Sequence, residues 1–457
     1  HLEFFCIFKI FVFIIKKMSS FGNTTTRIID PVFDRAGFRA EFRLPPGNVY
    51  MSNMRLLNIG ITSSLDDSYN NLVGALSVIR SIAIFDGSQL LDQINIADLV
   101  LAFKSANRRN DENISQYRQL QLVGTGYVAS GQYTMTGSVF DNDDIKVRKQ
   151  TGYSNNVGKN AWISLRELLD FCRSSMIIPT STFKQLRVVV DYHQSAFINK
   201  NCVLKNNGTT SSTASALLVV DEVNDGEAKD SMMSGYEGVV FRPLETDSVV
   251  VPAVSGVADN AASSQIEKTH SFLVNGFNNK RLSKIAVFQQ PTDAGTWQSG
   301  TGNVGFMGFA SKAQWRSSLQ VRINGSNVLP GAGIQGTSSG IAPTAADPGV
   351  SVQGGSRANR TLRKLTETWG SFNVVPCMNW CGSTQRTDLT QVQGMGDLDI
   401  FGLRIEENVN EFQLQYSRFG LFDNQTQNQQ LNLVIIGEVE KAVVMNRDGT
   451  YNVVYSQ

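Results

Sequence analysis

Short stretches of alternating apolar and polar residues dominate this chain, separated by turns rich in Gly, Asn, Asp and Ser. Leu186, Val188 and Val190 alternate with Arg187, Val189 and Asp191 within 183–192. A period of two marks a strand with one buried face. The same reading places strands at 38–44 (closed by Pro45-Pro46-Gly47), 54–61, 78–85, 126–134 and 216–223. It continues at 236–251, 271–274, 282–288, 319–323, 412–416, 431–444 and 451–455. Helical spacing is rarer. Leu99, Phe103, Ile114, Tyr117 and Leu120, interrupted by polar 108–113, predict two short helices within 97–122. Ile163, Leu165, Leu168, Leu169 and Cys172 predict an amphipathic helix over 162–173, with Ser164 and Glu167 at capping-box spacing. A short basic helix is expected at 357–369, a linker at 224–235 and a long loop at 329–357. The regular strand–helix alternation of a parallel sheet is missing, so the prediction is a mostly β protein.

The strand pattern occurs twice. Ser81-Ile82-Ala83-Ile84-Phe85-Asp86-Gly87-Ser88-Gln89-Leu90 has an echo in Leu319-Gln320-Val321-Arg322-Ile323-Asn324-Gly325-Ser326-Asn327-Val328-Leu329. Each is an alternating run that enters an Asp-Gly or Asn-Gly hairpin turn. The run 183–192 matches 411–419 in kind, and 216–223 matches 432–439. The order is kept, and the offset is on the order of a whole β-domain rather than a solenoid unit. Two similar domains in tandem are expected, at 35–228 and 229–457, preceded by a flexible arm at 18–34. Residues 1–17 (HLEFFCIFKIFVFIIKK) differ in composition from the rest of the chain. Glu3 and Lys9 leave too short an apolar run to cross about 30 Å of hydrocarbon. They read as upstream sequence ahead of a start at Met18, with a membrane-interacting leader as the alternative.

Composition narrows the function. The 457 residues are 41% hydrophobic and 18% charged, with a net charge of +1. Such a balance disfavours a broad phosphate-binding field, so no specific nucleic-acid binding is expected. Cys6, Cys172, Cys202, Cys377 and Cys381 are odd in number and scattered, which points away from a disulfide framework. The sequons at Asn113, Asn207 and Asn424 are of the kind that arise by chance in an Asn- and Thr-rich chain.

The motifs that might carry chemistry fail on context. Gly336-Thr337-Ser338-Ser339-Gly340 fits a nucleophile elbow but is read in a Gly/Ser/Ala loop with no strand before it or helix after it. Gly300-Thr301-Gly302-Asn303-Val304-Gly305 lacks the strand and helix of a dinucleotide site. His193 and His270 are the only histidines after the leader; Asp191 could pair with His193, but a partly buried strand histidine is the simpler account. Cys377 and Cys381 have no second pair for zinc. The acidic cluster 141–144 lacks the glycine and distal glutamate of an EF-hand. Arg357, Arg360, Arg363 and Lys364 read as a solvated face or a subunit contact. Asp397/Asp399 or Asp143/Asp144 as glycosidase carboxylates are arbitrary choices. The expectation is therefore no enzyme: catalytic residues none, cofactor-binding residues none, metal ligands none, cofactors none.

The paired domains, the turn at 82–88 with its echo at 321–326, and the helix 163–173 followed by Ile178-Pro179-Thr180 and the strand 186–190 carry a resemblance. The chain resembles the double jelly-roll capsid proteins of double-stranded DNA viruses, in the branch of virophages and polinton-like viruses. The likeness is one of layout from Phe38 to Gln457, and no counterpart of the Ile163 helix is evident between Trp369 and Leu403. It implies an all-β fold of two tandem eight-stranded jelly-roll sandwiches with short helices in loops. It implies a major capsid protein that forms homotrimers, pseudo-hexameric capsomers and an icosahedral shell. The implied partners are the chain itself, penton and minor capsid proteins, and the implied place is the virion. A membrane contact is left open. The alternatives are another virion or surface β-protein (penton, spike or carbohydrate-binding adhesin) and an enzyme built on a β-sandwich.

Overall fold

The computed structural model describes residues 24–63, 78–97, 100–101, 103–104, 128–129, 132–133, 162–194, 210–212, 216–252, 266–291, 315–329, 334–337, 367–369, 401–420, 431–446 and 448–455. In chain order the first half contains β1 (Thr24–Ile29), β2 (Phe33–Arg35), β3 (Arg39–Arg43), β4 (Val49–Met51), β5 (Arg55–Leu57), β6 (Ile61–Ser63), β7 (Ile79–Asp86) and β8 (Gln89–Asn95). A hairpin of β9 (Val128–Ala129) and β10 (Gln132–Tyr133) comes next, then β11 (Trp162–Ser164), α1 (Leu165–Leu168), α2 (Asp170–Ser174), β12 (Ile177–Pro179), β13 (Leu186–Tyr192), β14 (Thr210–Ser212) and β15 (Leu217–Val223). Two antiparallel sheets form the sandwich. In one, β15 lies between β1 and the broken strand β4/β5, which β12 and β11 flank in turn. The other has the order β2-β3-β13-β7-β8.

After α3 (Gly226–Ser234) the second half contains β16 (Gly238–Phe241), β17 (Leu244–Val251), β18 (Ile266–Leu273), β19 (Lys280–Pro291), β20 (Trp315–Ile323), β21 (Ser326–Asn327), β22 (Ile334–Thr337) and β23 (Phe401–Val409). It ends with β24 (Phe412–Gly420), β25 (Leu431–Val439), β26 (Lys441–Met445) and β27 (Tyr451–Tyr455). Its sheets run β17-β25-β19-β23 and β18-β24-β20-β21, with β22 also on β20; β16-β26-β27 form a small third sheet. Eight strand positions therefore recur in the same chain order and the same sheet order. β1, β3, β4/β5, β7, β8, β11/β12, β13 and β15 correspond to β17, β18, β19, β20, β21/β22, β23, β24 and β25.

The cores follow from the alternation. Leu186, Val188, Val190 and Tyr192 of β13 point inward with Phe42, Ile82, Ile84, Leu218 and Val220. Leu414, Tyr416, Val321, Ile323, Leu433 and Ile435 fill the second sandwich. Gly437 is needed there: a Cβ would stand 2.5 Å from Phe277 Cε1.

Several expectations are corrected. The stretch read as an arm carries β1 and β2 from Thr24 onward, because β1 completes the edge of β15. The helix read over 162–173 starts only after a strand. Ser164 caps α1 by accepting from Arg166 N (3.3 Å), and Leu169 adopts extended backbone (φ −109°, ψ 124°) that separates α1 from α2. The linker 224–235 is helical, capped by Asp225 on Glu227 N at 3.0 Å. The strand read over 431–444 breaks at Glu440, where the chain leaves the sandwich for the third sheet. The duplicated segments are out of step with the sequence pairing by one residue. The hairpin turns are Gly87-Ser88 and Asn324-Gly325, whose first residues both need left-handed backbone (φ 57° and 51°), so Asn324 matches Gly87 and Ile323 matches Asp86. Likewise the inward Leu218 and Val220 match the inward Leu433 and Ile435. Of the two short helices expected within 97–122, the first is helical at Ala97, Val100, Leu101, Phe103 and Lys104, whereas 105–122 and most of 357–369 lie outside the described residues, as do 370–400, where a counterpart of α1 would fall.

Candidate functional site: the seam between the sandwiches

The two halves share one continuous core. Phe241, Leu244, Ala286, Trp369, Val434, Ile436 and Val443 of the second half belong to the same buried cluster as the first sandwich. β25 explains how. Its Leu433 and Ile435 face the second core, while Val434 and Ile436 face the first sandwich. A strand buried on both sides reads as an unbroken apolar run, which is what Leu433-Val434-Ile435-Ile436 is. Phe103 meets Trp369 edge to face at 4.9 Å, and the Trp369 indole donates to Ile285 O at 2.9 Å.

An aromatic row runs through the joint. Phe241 packs on Phe171 (5.6 Å), Phe171 on Phe183 (5.9 Å) and Phe183 on Tyr451 (4.9 Å). Polar groups stitch its rim. Tyr451 donates to Asp86 Oδ2 at 2.7 Å, and Asp86 Oδ1 accepts from Gln185 N at 2.7 Å. Burial, then the Asp86 contact, pushes the Tyr451 phenol above its ordinary range. On the other side of the small sheet, Tyr455 donates to Glu245 Oε1 (2.8 Å), whose other oxygen accepts from Lys280 Nζ (2.6 Å).

Four charges are buried between these contacts. Asp92 on β8 accepts from Phe171 N (2.9 Å) and Gln93 N (2.8 Å). Lys104 donates to Asp170 Oδ2 (2.9 Å) and Leu168 O (3.1 Å). Lys441 lies under the Tyr455 ring, 5.2 Å from its centroid. Burial raises Asp92 to about 6, helped by the Asp170 carboxylate and opposed by the Phe171 N–H, Lys104 and Lys441. Burial lowers Lys441, opposed by Asp92 and Glu245. The bonds to these carboxylates all come from the first half, beside the seam, and Lys441 is the second half's charge acting on Asp92.

The residues singled out from the sequence do not converge. Asp191 spends its carboxylate on Arg39 (2.7 Å) and Ser81 (2.8 Å), whereas the backbone N–H of His193 bonds Val78 O (2.9 Å). His270 stands opposite Tyr416 and stacks on Phe272 at 6.0 Å. Gly336 and Thr337 lie in β22, so a strand does enter the Gly336–Gly340 motif; its serines lie outside the described residues. The same holds for 141–144, 300–305, 357–364, 377–381, 397–399 and the three sequons. Among the described residues no three His, Cys, Asp or Glu side chains gather as a metal site would need.

No family model matches the sequence, and no curated protein does. Solved structures do. The mavirus major capsid protein is similar with a TM-score of 0.53 and 11% identity, over 94% of this chain and 90% of that one. A quasi-atomic model of the PBCV-1 virus capsid is similar with a TM-score of 0.51 and 10% identity, over 95% of this chain and 97% of that one. PBCV-1 VP54, fitted into a reconstruction of the virophage Sputnik, gives 0.50 and 10% over the same shares. The fold is the double jelly roll. Identities this low make it a likeness of fold, and it spans both sandwiches and the seam that joins them.

Proposed function

We propose that this chain is a structural major capsid protein of an icosahedral double-stranded DNA virus, working in the virion shell. The observation that carries the reading is the strand order repeated in full within one rigidly joined chain. A pair of similar sandwiches locked side by side gives each chain two near-equivalent blocks, so three chains make a six-block ring that tiles a hexagonal lattice. The first block, expected at 35–228, begins with β1 at Thr24, and the second is 229–457. No reaction is part of the role; burial of surface between copies is the function. Penton and minor capsid proteins are the further partners of such a shell. The likeness in fold to the mavirus and PBCV-1 capsid proteins supports this reading.

Size-exclusion chromatography with light scattering on the purified full chain tests it. A stable species of three chains is expected. A monomer persisting at high protein concentration overturns the reading.

A further inference from the structure

The two sandwiches share a strand order but not a surface. In the first, β13 lies between β3 and β7 with Val188 and Val190 inward, so Arg39, Glu41 and Arg43 of β3 and Arg187 and Asp191 of β13 stand on the outer face. The matching sheet of the second sandwich is β18-β24-β20, with Leu414 and Tyr416 inward. Register equates Arg39 with Thr269, Glu41 with Ser271 and Arg43 with Leu273. It equates Arg187 with Gln413 and Asp191 with Ser417. The duplication therefore puts charge on one copy of this face and amides, hydroxyls and a leucine on the other. Arg322, the match of Phe85, is the charge at the turn end of the second face, and it donates to Gln413 Oε1 (3.5 Å) and Gly325 O (3.2 Å).

Charge on the first face is unbalanced. Asp191 is shared by Arg39 (2.7 Å) and Arg80 (4.0 Å), and Glu41 by Arg43 and Arg187 (3.5 Å each). Arg35 on β2 stands opposite Arg39 and adds a fifth guanidinium, in a chain whose net charge is only +1. The side chains of Arg43 and Arg80 are 69% and 62% exposed. Aromatic rings brace the others. Arg187 lies over Phe85, 5.0 Å from the ring centroid, and Arg35 and Arg39 each lie 5.8 Å from the centroid of Phe38. Phe38 is itself exposed, beside exposed Phe33 and Val32. The turn between β2 and β3 holds it there: Phe38 N donates to Arg35 O (3.1 Å), and Tyr192 N donates to Phe38 O (3.0 Å).

We propose that the outer face of β2-β3-β13-β7 is the docking surface for an acidic segment of a different protein, and that of the two sandwiches only the first carries it. Guanidinium groups suit carboxylates in geometry as well as charge, and two carboxylates of this chain are already held there. Exposed aromatic rings among arginines, with no lysine at the register positions of the face, are the composition of a protein interface. Nucleic acid is the poorer fit, because Glu41 and Asp191 interrupt the positive field along β3 and β13. The assignment goes beyond the capsid reading and stands without it.

The test uses the full chain and a fluorescent Glu-rich peptide with Leu anchors, read by anisotropy, with the Gln counterpart of the peptide as control. The Glu peptide is expected to bind at one per chain and to weaken as salt rises, and the Gln peptide is expected not to bind. Arg35→Glu and Arg43→Glu should each raise the dissociation constant at least about tenfold, whereas Arg322→Glu on the second sandwich should bind like wild type. Melting temperature and light-scattering mass should match wild type in all three. Arg35→Gln and Arg43→Gln decide the matter if a charge reversal does not fold. No binding of the Glu peptide, or binding that both reversals leave intact, overturns the assignment. Tighter binding of a heparin fragment or of single-stranded DNA also overturns it and gives the face to another polyanion. A fall in oligomer mass on reversal overturns it in favour of a second copy. A trimer that ignores the Glu peptide leaves the capsid reading standing, and a monomer that binds it leaves only this assignment.

Discussion

Tyr451 donates its hydroxyl to Asp86 Oδ2 at 2.7 Å, joining positions 365 residues apart in the chain. The same ring packs edge to face on Phe183 at 4.9 Å. The hydrogen bond and the ring contact together hold the small third sheet onto the first sandwich. Tyr451→Phe keeps the ring and removes the bond, and a bond to a charged acceptor contributes about 1.5–3 kcal/mol. Tyr451→Ala loses the packing as well and is expected to cost more. Chemical denaturation of the three proteins checks this, and equal midpoints for wild type and Tyr451→Phe would remove the bond from the account of the seam.

Acid should strengthen the contribution of one seam group. Burial raises Asp92 from 3.8 to about 6, so its favourable, protonated state is fully present below about 3.8 and is lost as pH rises through about 6. The groups facing it are Asp170, the Phe171 N–H, Lys104 and Lys441. Its charge at pH 7 costs on the order of 3 kcal/mol. Unfolding midpoints measured from pH 7 to pH 5 should rise more for wild type than for Asp92→Asn. Parallel profiles for the two proteins would show that Asp92 does not titrate in this window.

A single methyl at Gly437 should disturb the second core. Its Cβ would fall 2.5 Å from Phe277 Cε1 and 2.9 Å from Leu282 Cδ1, both inside the sandwich. Overpacking of this kind costs about 1–3 kcal/mol. Gly238→Ala should be worse, because its Cβ would meet Val443 O at 2.0 Å and its φ of +112° disfavours a side chain. Both effects are read as a fall in denaturation midpoint. A Gly437→Ala protein as stable as wild type would mean that Phe277 moves aside freely.

Local pattern carried much of the fold. Leu186, Val188 and Val190 in β13 and Phe412, Leu414 and Tyr416 in β24 alternate along central strands and face the two cores. The duplication was legible from turn chemistry, but its register was not. Matching Asp86-Gly87 to Asn324-Gly325 by residue type slips the alignment by one, and a one-residue slip exchanges the two faces of a strand. The split of α1 from α2 at Leu169 could not be read, since apolar spacing at 163–172 fits an unbroken helix equally well. Strand β1 hid in a Thr-rich segment because its side chains are mostly exposed and have no period to show. The seam was illegible for a different reason. Asp92, Lys104, Asp170 and Lys441 come from four separate elements, and the only trace was the two-faced apolar run in β25.

The buried Lys104–Asp170 pair, within the first half and beside the seam, allows a dissection of buried charge. The two side chains are 6% and 7% exposed and 2.9 Å apart. Lys104→Met leaves a carboxylate in the core and is expected to cost about 3–5 kcal/mol, and Asp170→Leu leaves a buried ammonium at similar cost. Lys104→Met/Asp170→Leu removes both charges and should recover most of the loss, because desolvation offsets much of the attraction within a buried pair. Asp92 sharpens the expectation: Asp170 raises its pKa and Lys104 lowers it, so the double variant removes opposing influences together. A double-mutant cycle on denaturation free energies should give a coupling above about 2 kcal/mol. A coupling near about 0.5 kcal/mol would place the pair with solvent-exposed ion pairs, at odds with its burial.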